Sequence, residues 1–205
     1  MTAKQIIEKA KAEVGVVESP ANSNNVKYNT WYYGHPVQGS AYPWCCTFIS
    51  WLFKAEQGLC KKTASCSDLY NWFKAKGQIV TKPQAGDLVF FKWNKNNPKP
   101  CEHIGIVVSV SGNVINDIEG NTSLTSNDNG GKVMQRNRYS NIVAYARPKY
   151  QESTTKLSGR KSNEEVAKEV IRGLWGSGND RRQRLTSAGY DYYEIQRIVT
   201  QMMKK

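Results

Sequence analysis

The sequence lacks any long hydrophobic run. None of its 205 residues belongs to an apolar stretch of about 18 residues, the length that a membrane-spanning helix needs. The first residues, Met1–Ile7, carry polar and charged side chains where a secretory signal would have a continuous apolar segment. We therefore predict that the chain is made in the cytoplasm, has no membrane partner and reaches any extracellular target without a signal of its own.

Metal-binding patterns are also scarce. None of the five cysteines forms a Cys-x2-Cys pair, and the two histidines, His35 and His103, lie far apart in the sequence, which argues against a zinc site. The asparagines within residues 22–25 bind calcium poorly unless carboxylates join them, and Glu18 is the nearest carboxylate. An odd number of cysteines argues against a disulfide framework. We predict no metal, no cofactor and at least one free thiol.

Positive charge is plentiful but spread out. The net charge of +12 at pH 7 is distributed along the whole chain instead of being gathered in one segment. A nucleic-acid-binding domain would concentrate Lys and Arg on one face, whereas a diffuse charge favours encounter with any polyanion, including an anionic cell wall. Nucleic acid is therefore the less favoured partner.

Hydrophobic periodicity places helices in the first part of the chain. Thr2 and Gln5 have the spacing of a capping box, so a helix should begin there. Residues 16–43 have no sustained period and many turn-forming residues, which predicts a long loop. In all, helices are predicted over residues 2–14, from Cys45 onward and over residues 67–76.

The apolar period then changes to two. Strands are predicted over residues 87–93, 103–110, 113–119, 132–137 and 142–146. Helices followed by antiparallel strands indicate an α+β domain over residues 1–147, with N-terminal helices packed on an antiparallel sheet. Residues 148–162 are polar and predict a linker without an anchor in any core. Residues 163–205 predict three short helices, a bundle too small to enclose a catalytic cavity and well sized for a binding module.

Cys45 is the candidate nucleophile. It stands where a buried helix begins, so the unpaired amides there should lower the pKa of its thiol and could hold an oxyanion. Cys46 points about 100° away from it along the helix. The alternative is that both cysteines are small core residues. His103 opens a strand at the mouth of the sheet and is the candidate base, while His35 lies in an irregular loop, where a surface turn residue is expected.

A cysteine–histidine pair works best when a third polar group orients the imidazole. Counting outward from the hairpin turn at residues 111–112 brings Glu119 near His103. Asn121 follows two residues later, and Asp117 is an alternative on the same face. Either Glu119 or Asn121 could orient the ring.

Four successive segments resemble the CHAP family, the cysteine, histidine-dependent amidohydrolase/peptidase domains of phage lysins. The resemblance spans roughly residues 3–147 and implies a papain-like fold with Cys45 as nucleophile, His103 as base and Glu119 with Asn121 as orienting groups. It departs at Cys46, where the family more often has a small apolar residue. Trp31 and Trp44 would line a groove for the glycan or simply cover the edge of the domain. The segments are Tyr42–Trp51, Ala85–Phe91, Glu102–Val108 and Ile118–Thr122.

The tail, over nearly all of residues 163–203, resembles one copy of the Cpl-seven-type cell-wall-binding repeat. The resemblance implies a peptidoglycan-binding three-helix module whose signature loop includes Gly178, Asp180 and Arg181. Arg181 could contact a muropeptide carboxylate, whereas Asp180 is better explained as the cap of the middle helix. A lone repeat binds weakly, so self-association through a second copy would add avidity.

Together the two resemblances imply an endolysin, a hydrolase of bacterial peptidoglycan released by a phage holin. It would cut either the muramoyl–L-alanine amide, as an amidase, or a peptide bond of the stem or cross-bridge, as an endopeptidase. The alternative is a non-catalytic wall-binding or lysis-accessory protein in which the cysteine site is inactive.

Overall fold

The chain divides into two units, Met1–Glu152 and Ser153–Lys205, each with its own hydrophobic core. The computed structural model describes residues 1–127, 129–151 and 161–203. Among these, no helix combines the length and the apolar character that crossing a membrane requires.

Four helices precede the sheet in the first unit. Thr2 and Gln5 form the predicted capping box at the start of the first helix, and Ile6, Ile7 and Ala10 are its buried face. The helices are α1 (Ala3–Ala12), α2 (Lys27–Tyr33), α3 (Cys45–Leu52) and α4 (Cys66–Ala75).

Helix α2 lies inside the segment that the sequence predicted to be a loop, so that prediction is wrong for these seven residues. The helix has no side-chain cap at its start and ends at Gly34, whose φ of 81° is left-handed. About two turns are too few to show a period. The helical form of α2 depends on packing, since the buried Tyr28 ring lies against Trp44, Phe48 and Trp51.

A six-stranded antiparallel sheet forms the other layer and confirms the α+β architecture. Its order is β1-β6-β2-β3-β4-β5. The two-residue strand β1 was not predicted, because so short a segment has no measurable alternation. The strands are β1 (Ile79–Val80), β2 (Leu88–Phe91), β3 (His103–Ser111), β4 (Val114–Thr122), β5 (Lys132–Arg138) and β6 (Ile142–Ala146).

Alternation along β3 separates two rows of side chains. Ile104 and Ile106 join the core that the helices share with the sheet. His103 lies in the other row with Val107, which packs in a smaller cluster together with Phe91 of β2. The helices thus contact β3 near its start, through Ile104 and Ile106, and His103 is the first residue of that strand.

The first unit continues past residue 147 into the segment that the sequence assigned to the linker. Tyr150 packs on the helical core, where its hydroxyl donates to the Gly86 carbonyl at 2.6 Å and its ring stacks on Phe53 at 6.2 Å between centroids. The prediction that residues 148–162 have no anchor in a core is thus wrong at its beginning. Residues 152–160 of that predicted linker lie outside the described residues.

The second unit is the predicted bundle of three helices, α5 (Asn163–Ile171), α6 (Gly178–Ser187) and α7 (Tyr192–Met203). Ser162 and Glu165 form a capping box at the start of α5. Val166, Val170, Leu185, Ile195 and Val199 are buried members of its core, to which all three helices contribute.

Candidate functional site

Cys45 is the first residue of α3 and is 5% exposed. The first amides of a helix have no partner within the helix, so backbone hydrogen-bond donors are available at this end of α3. The next thiol, Cys46, is 0% exposed within the core. The start of α3 therefore presents Cys45 and buries Cys46.

Trp44, the N-cap residue of α3, fixes where the helix begins. It is 0% exposed, and its indole nitrogen donates to Glu18 at 3.1 Å. The same carboxylate accepts the Asn24 amide at 2.9 Å. Trp44 was expected to line a groove or to cover the edge of the domain, but its fully buried ring does neither and packs in the core.

His103 is held by a carboxylate that is itself held by an arginine. Its Nε2 lies 2.8 Å from Glu119 Oε2. Arg138 donates to both oxygens of Glu119, from Nε at 2.6 Å and from Nη2 at 2.7 Å. Because a carboxylate accepts, Nε2 carries the ring proton and Nδ1 is left as the basic nitrogen. Within the part of the chain that the structure describes, Nδ1 has no hydrogen-bond partner.

The absence of a side chain at Gly105 makes this contact sterically possible. Glu119 pairs directly with Gly105 in the β3–β4 ladder, and its carboxylate reaches diagonally to His103. A Cβ atom at Gly105 would lie 2.4 Å from Asp117 Oδ2 and 3.0 Å from Glu119 Cγ. The glycine thus leaves the space that the two carboxyl side chains occupy.

The pKa values of the two buried partners Glu119 and His103 are strongly shifted. Burial opposes charge on both partners, but the Arg138 and His103 hydrogen bonds hold the pKa of Glu119 at about 2. Burial also disfavours the imidazolium, yet the neighbouring Cys45 and Glu119 raise the pKa of His103 to about 9. Glu119 is therefore an anion near neutral pH, and it stabilises the imidazolium that forms when the ring of His103 takes a proton.

The thiol of Cys45 does not have the lowered pKa that the helix start alone predicts. Its sulfur lies 3.5 Å from the sulfur of Cys66. This contact and burial raise the pKa of Cys45, while His103 acts in the opposite direction. Ionisation of Cys45 therefore depends on transfer of its proton to His103 and not on the helix terminus alone.

Asn121 and Asp117 lie in β4 on either side of Glu119. The Asn121 amide oxygen accepts the Gly131 amide at 3.2 Å, and its nitrogen lies 3.5 Å from Asn129 Oδ1. Among the described contacts it is Glu119 that bonds the imidazole. Asp117 is buried, and burial followed by repulsion from Glu119 raises its pKa well above its ordinary value.

Three contributors to the site were missed by the sequence reasoning. Arg138 and Cys66 come from β5 and α4, elements that no local spacing relates to Cys45 or His103. Trp93 follows β2 and lies 5.6 Å from the imidazole between ring centroids. The one signal that pointed to Arg138 was an arginine at the end of the strand that follows the Glu119 strand.

The other predicted binding residues have local roles. Trp31 is half-buried, and the Lys62 ammonium lies 4.8 Å from its ring. Asp180 is the third residue of α6 and pairs with Arg184 at 2.9 Å, so it is not the helix cap that the sequence predicted. The Ser177 position precedes the helix without a side-chain cap bond.

Arg181 binds its own loop. Its Nε and Nη2 donate to the Gly176 carbonyl at 2.9 and 2.8 Å, which closes the turn before α6. Gly178, with a φ of 53°, is exposed at the first position of that helix. Among the described residues, no group of three or more His, Cys, Asp or Glu side chains is arranged to hold a metal ion.

Two family models match this chain. Residues 37–121 match the CHAP domain, a range that includes Cys45, His103 and Glu119, and residues 164–203 match the CW_7 repeat. No curated protein matches the chain.

Among solved structures, the chain is similar to the crystal structure of Ly7917 and to that of Ly7917 with the hydrolyzing product of MDP. Each is 16% identical, with a TM-score of 0.44 over 72% of this chain. The matches cover 62% and 63% of those two chains, so this chain spans less than two thirds of their length.

Proposed function

We propose that this chain, which carries a CHAP domain followed by a CW_7 repeat, cuts an amide bond in the peptide part of peptidoglycan with Cys45 as the nucleophile. A CHAP domain indicates a peptidoglycan hydrolase, and a CW_7 repeat indicates action at the cell wall. The observation that carries the proposal is the buried series of contacts from Arg138 to Glu119 and from Glu119 to His103. It leaves Nδ1 of His103 as the basic nitrogen, and this imidazole interacts with the Cys45 thiol.

The reaction is acyl transfer. As the sulfur attacks the carbonyl carbon of the substrate amide, His103 Nδ1 takes the thiol proton, and the amides at the start of α3 hold the oxyanion. The imidazolium then gives its proton to the leaving amine, and water releases the acyl group with His103 again as the base. Glu119 holds the ring in the reactive tautomer and stabilises the imidazolium, as its anionic state allows.

The decisive comparison is between two adjacent thiols. We expect Cys45→Ala to lower the turbidity loss of a suspension of purified walls on the order of 10³-fold or more, because the nucleophile is gone. Cys46→Ala, one residue further and buried in the core, should keep most of the activity and serves as the matched control. Unchanged lysis by Cys45→Ala would contradict the proposal, and an inactive parent would support the non-catalytic accessory protein.

The scissile bond is a separate question, because one catalytic apparatus serves both cuts. Mass spectrometry of digested walls distinguishes them. Muramic acid freed of peptide indicates an amidase, whereas new amino termini within the peptides indicate an endopeptidase. Binding of Cys45→Ala to walls, measured by sedimentation, separates wall binding from cleavage, and we expect it to equal that of the parent.

A further inference from the structure

Two thiols meet beside the imidazole. The sulfurs of Cys45 and Cys66 are 3.5 Å apart, and both cysteines are free. Each is the first residue of its helix, Cys45 of α3 and Cys66 of α4. A disulfide bond is about 2.05 Å long, so the two sulfurs must approach each other by about 1.5 Å to form one.

The two thiols are also the least buried of the five cysteines, all of which lie in the described part of the chain. Cys45 is 5% and Cys66 7% exposed, whereas the other three are at most 1% exposed. A small oxidant that reaches the site therefore meets this pair first. His103 lies beside Cys45 and can accept its proton, which favours the reactive thiolate.

We propose that Cys66 is a resolving thiol, and that a peroxide converts Cys45 and Cys66 into a disulfide that reversibly blocks the site. The loss of activity rests on the proposed role of Cys45, whereas formation of the disulfide does not. The pair is then a modification site that reacts with a hydroperoxide, and a dithiol is needed to reduce the disulfide again.

The disulfide forms in two steps. The Cys45 sulfur attacks one oxygen of hydrogen peroxide, the S–O bond forms, the O–O bond breaks, and the departing hydroxide takes up the thiol proton by way of His103 as water. The Cys66 sulfur then attacks the Cys45 sulfur, the S–S bond forms, the S–O bond breaks, and hydroxide leaves with the Cys66 proton as a second water. A dithiol reverses the result by two thiol–disulfide exchanges.

The second step also protects the enzyme. A sulfenic acid without a neighbouring thiol is oxidised further to sulfinic acid, which a dithiol does not reduce. A thiol in contact with Cys45 intercepts the sulfenic acid before that can happen.

The test treats the full chain with hydrogen peroxide and maps its peptides without reduction. In the parent we expect a Cys45–Cys66 link, a loss of wall-lysing activity of at least about tenfold, and recovery of the activity with dithiothreitol. In Cys66→Ser we expect no such link, labelling of Cys45 by dimedone, and a loss after prolonged exposure that dithiothreitol does not restore. Each variant is compared with its own untreated sample. Cys60→Ser, which removes a 1% exposed thiol, should behave as the parent.

Several results would overturn the inference. A parent that forms no link, or one that joins Cys66 to Cys46, would do so, as would full recovery of Cys66→Ser after prolonged oxidation. Cys66→Ala is the second variant if Cys66→Ser does not fold. If the link forms and the activity is unchanged, the disulfide stands and the proposed role of Cys45 fails.

Discussion

The guanidinium of Arg138 is the outermost member of the chain that reaches His103. It is 9% exposed and donates to both oxygens of Glu119, so two nearly buried charges neutralise each other. Such a pair contributes little as a net stabiliser, but removal of one member leaves the other buried and unpaired. Arg138 is accordingly a positioning residue that acts through Glu119.

We expect Arg138→Met to move the acidic limb of the activity profile to higher pH by at least about one unit. The Arg138 hydrogen bonds hold the pKa of Glu119 at about 2, below its ordinary 4.5, so without them Glu119 takes up a proton at a higher pH and releases the imidazole. The measurement is wall lysis from about pH 2 to about pH 7, a range that runs from the pKa of Glu119 in the parent to neutral solution.

Arg136→Met is the matched control for this change. Its guanidinium donates to Thr122 and Asn127, not to Glu119, so a much smaller shift is expected. Equal profiles for the parent and Arg138→Met would show that Arg138 does not set the charge of Glu119.

For single residues, the sequence predicts side-chain contacts only where the two partners are close along the chain. The pairing of Glu119 with the neighbourhood of His103 follows from counting outward from one hairpin turn. A bulge between Val107 and Ser109 shifts the register, and the pair still meets because Gly105 leaves the diagonal open. Arg138 and Cys66 arrive from other elements, and no spacing along the chain predicts them.

Among the elements, α5 begins with a complete capping box whereas α6 does not. Ser162 accepts the Glu165 amide at 3.2 Å, and the Glu165 carboxylate accepts the Ser162 amide at 2.7 Å. At the start of α6, Ser177 makes no side-chain cap bond. The same residue type therefore stands at two helix starts with different contacts.

We expect Ser162→Ala to lower the local stability of α5 by about 1 kcal/mol, because an unpaired helix amide loses its partner. Ser177→Ala, the matched control, should change the stability of α6 by no more than a few tenths of a kcal/mol. Hydrogen exchange of the amides of each helix in the full chain measures both. Equal effects of the two substitutions would show that the capping bonds do not determine helix stability here.

Elements with strong periodicity were predicted well, and short ones were not. The strand Ile142–Ala146 and the capped start at Thr2 agree with the structure, because alternation and capping are local signals. Helix α2 and strand β1 depend on neighbours, Tyr28 on three aromatic rings and Ile79 on its partner Ala146. Tertiary contacts decide their form, and a single sequence does not display them.

For the whole molecule, the end of the first unit decides where the chain can be shortened without a loss of stability. We expect a chain that ends after Arg147 to be less stable than one that ends after Gln151 by about 2–4 kcal/mol, because it loses the ring and hydroxyl contacts of Tyr150. Urea unfolding of the two shortened chains gives the difference.

Tyr150→Phe in the longer of the two chains is the control. It removes the hydrogen bond to Gly86 and keeps the ring on Phe53, so a cost of about 1 kcal/mol is expected. Equal stability of the two shortened chains would mean that residues 148–151 lie on the unit without supporting it.

The division into a larger α+β unit and a small helical bundle was predicted from period and composition, but the place where the first unit ends was not. Pro148–Gln151 read as polar linker because a lone Tyr among polar residues gives no periodic signal. Tyr150 anchors the segment by its hydrogen bond to the Gly86 carbonyl, and Gly86 is distant in the sequence but close in space.

The β3–β4 hairpin joins His103 to Glu119 by closing a turn at Gly112 and Asn113, since Ser111 already pairs with Val114. Closing such a contact orders only a short stretch of chain, because its partners are near each other in the sequence. The sulfur arrives on a helix from much earlier in the sequence. The imidazole and its carboxylate are thus joined by one hairpin, whereas the thiol comes to them only through the tertiary packing of α3, so cutting requires the whole domain to be folded.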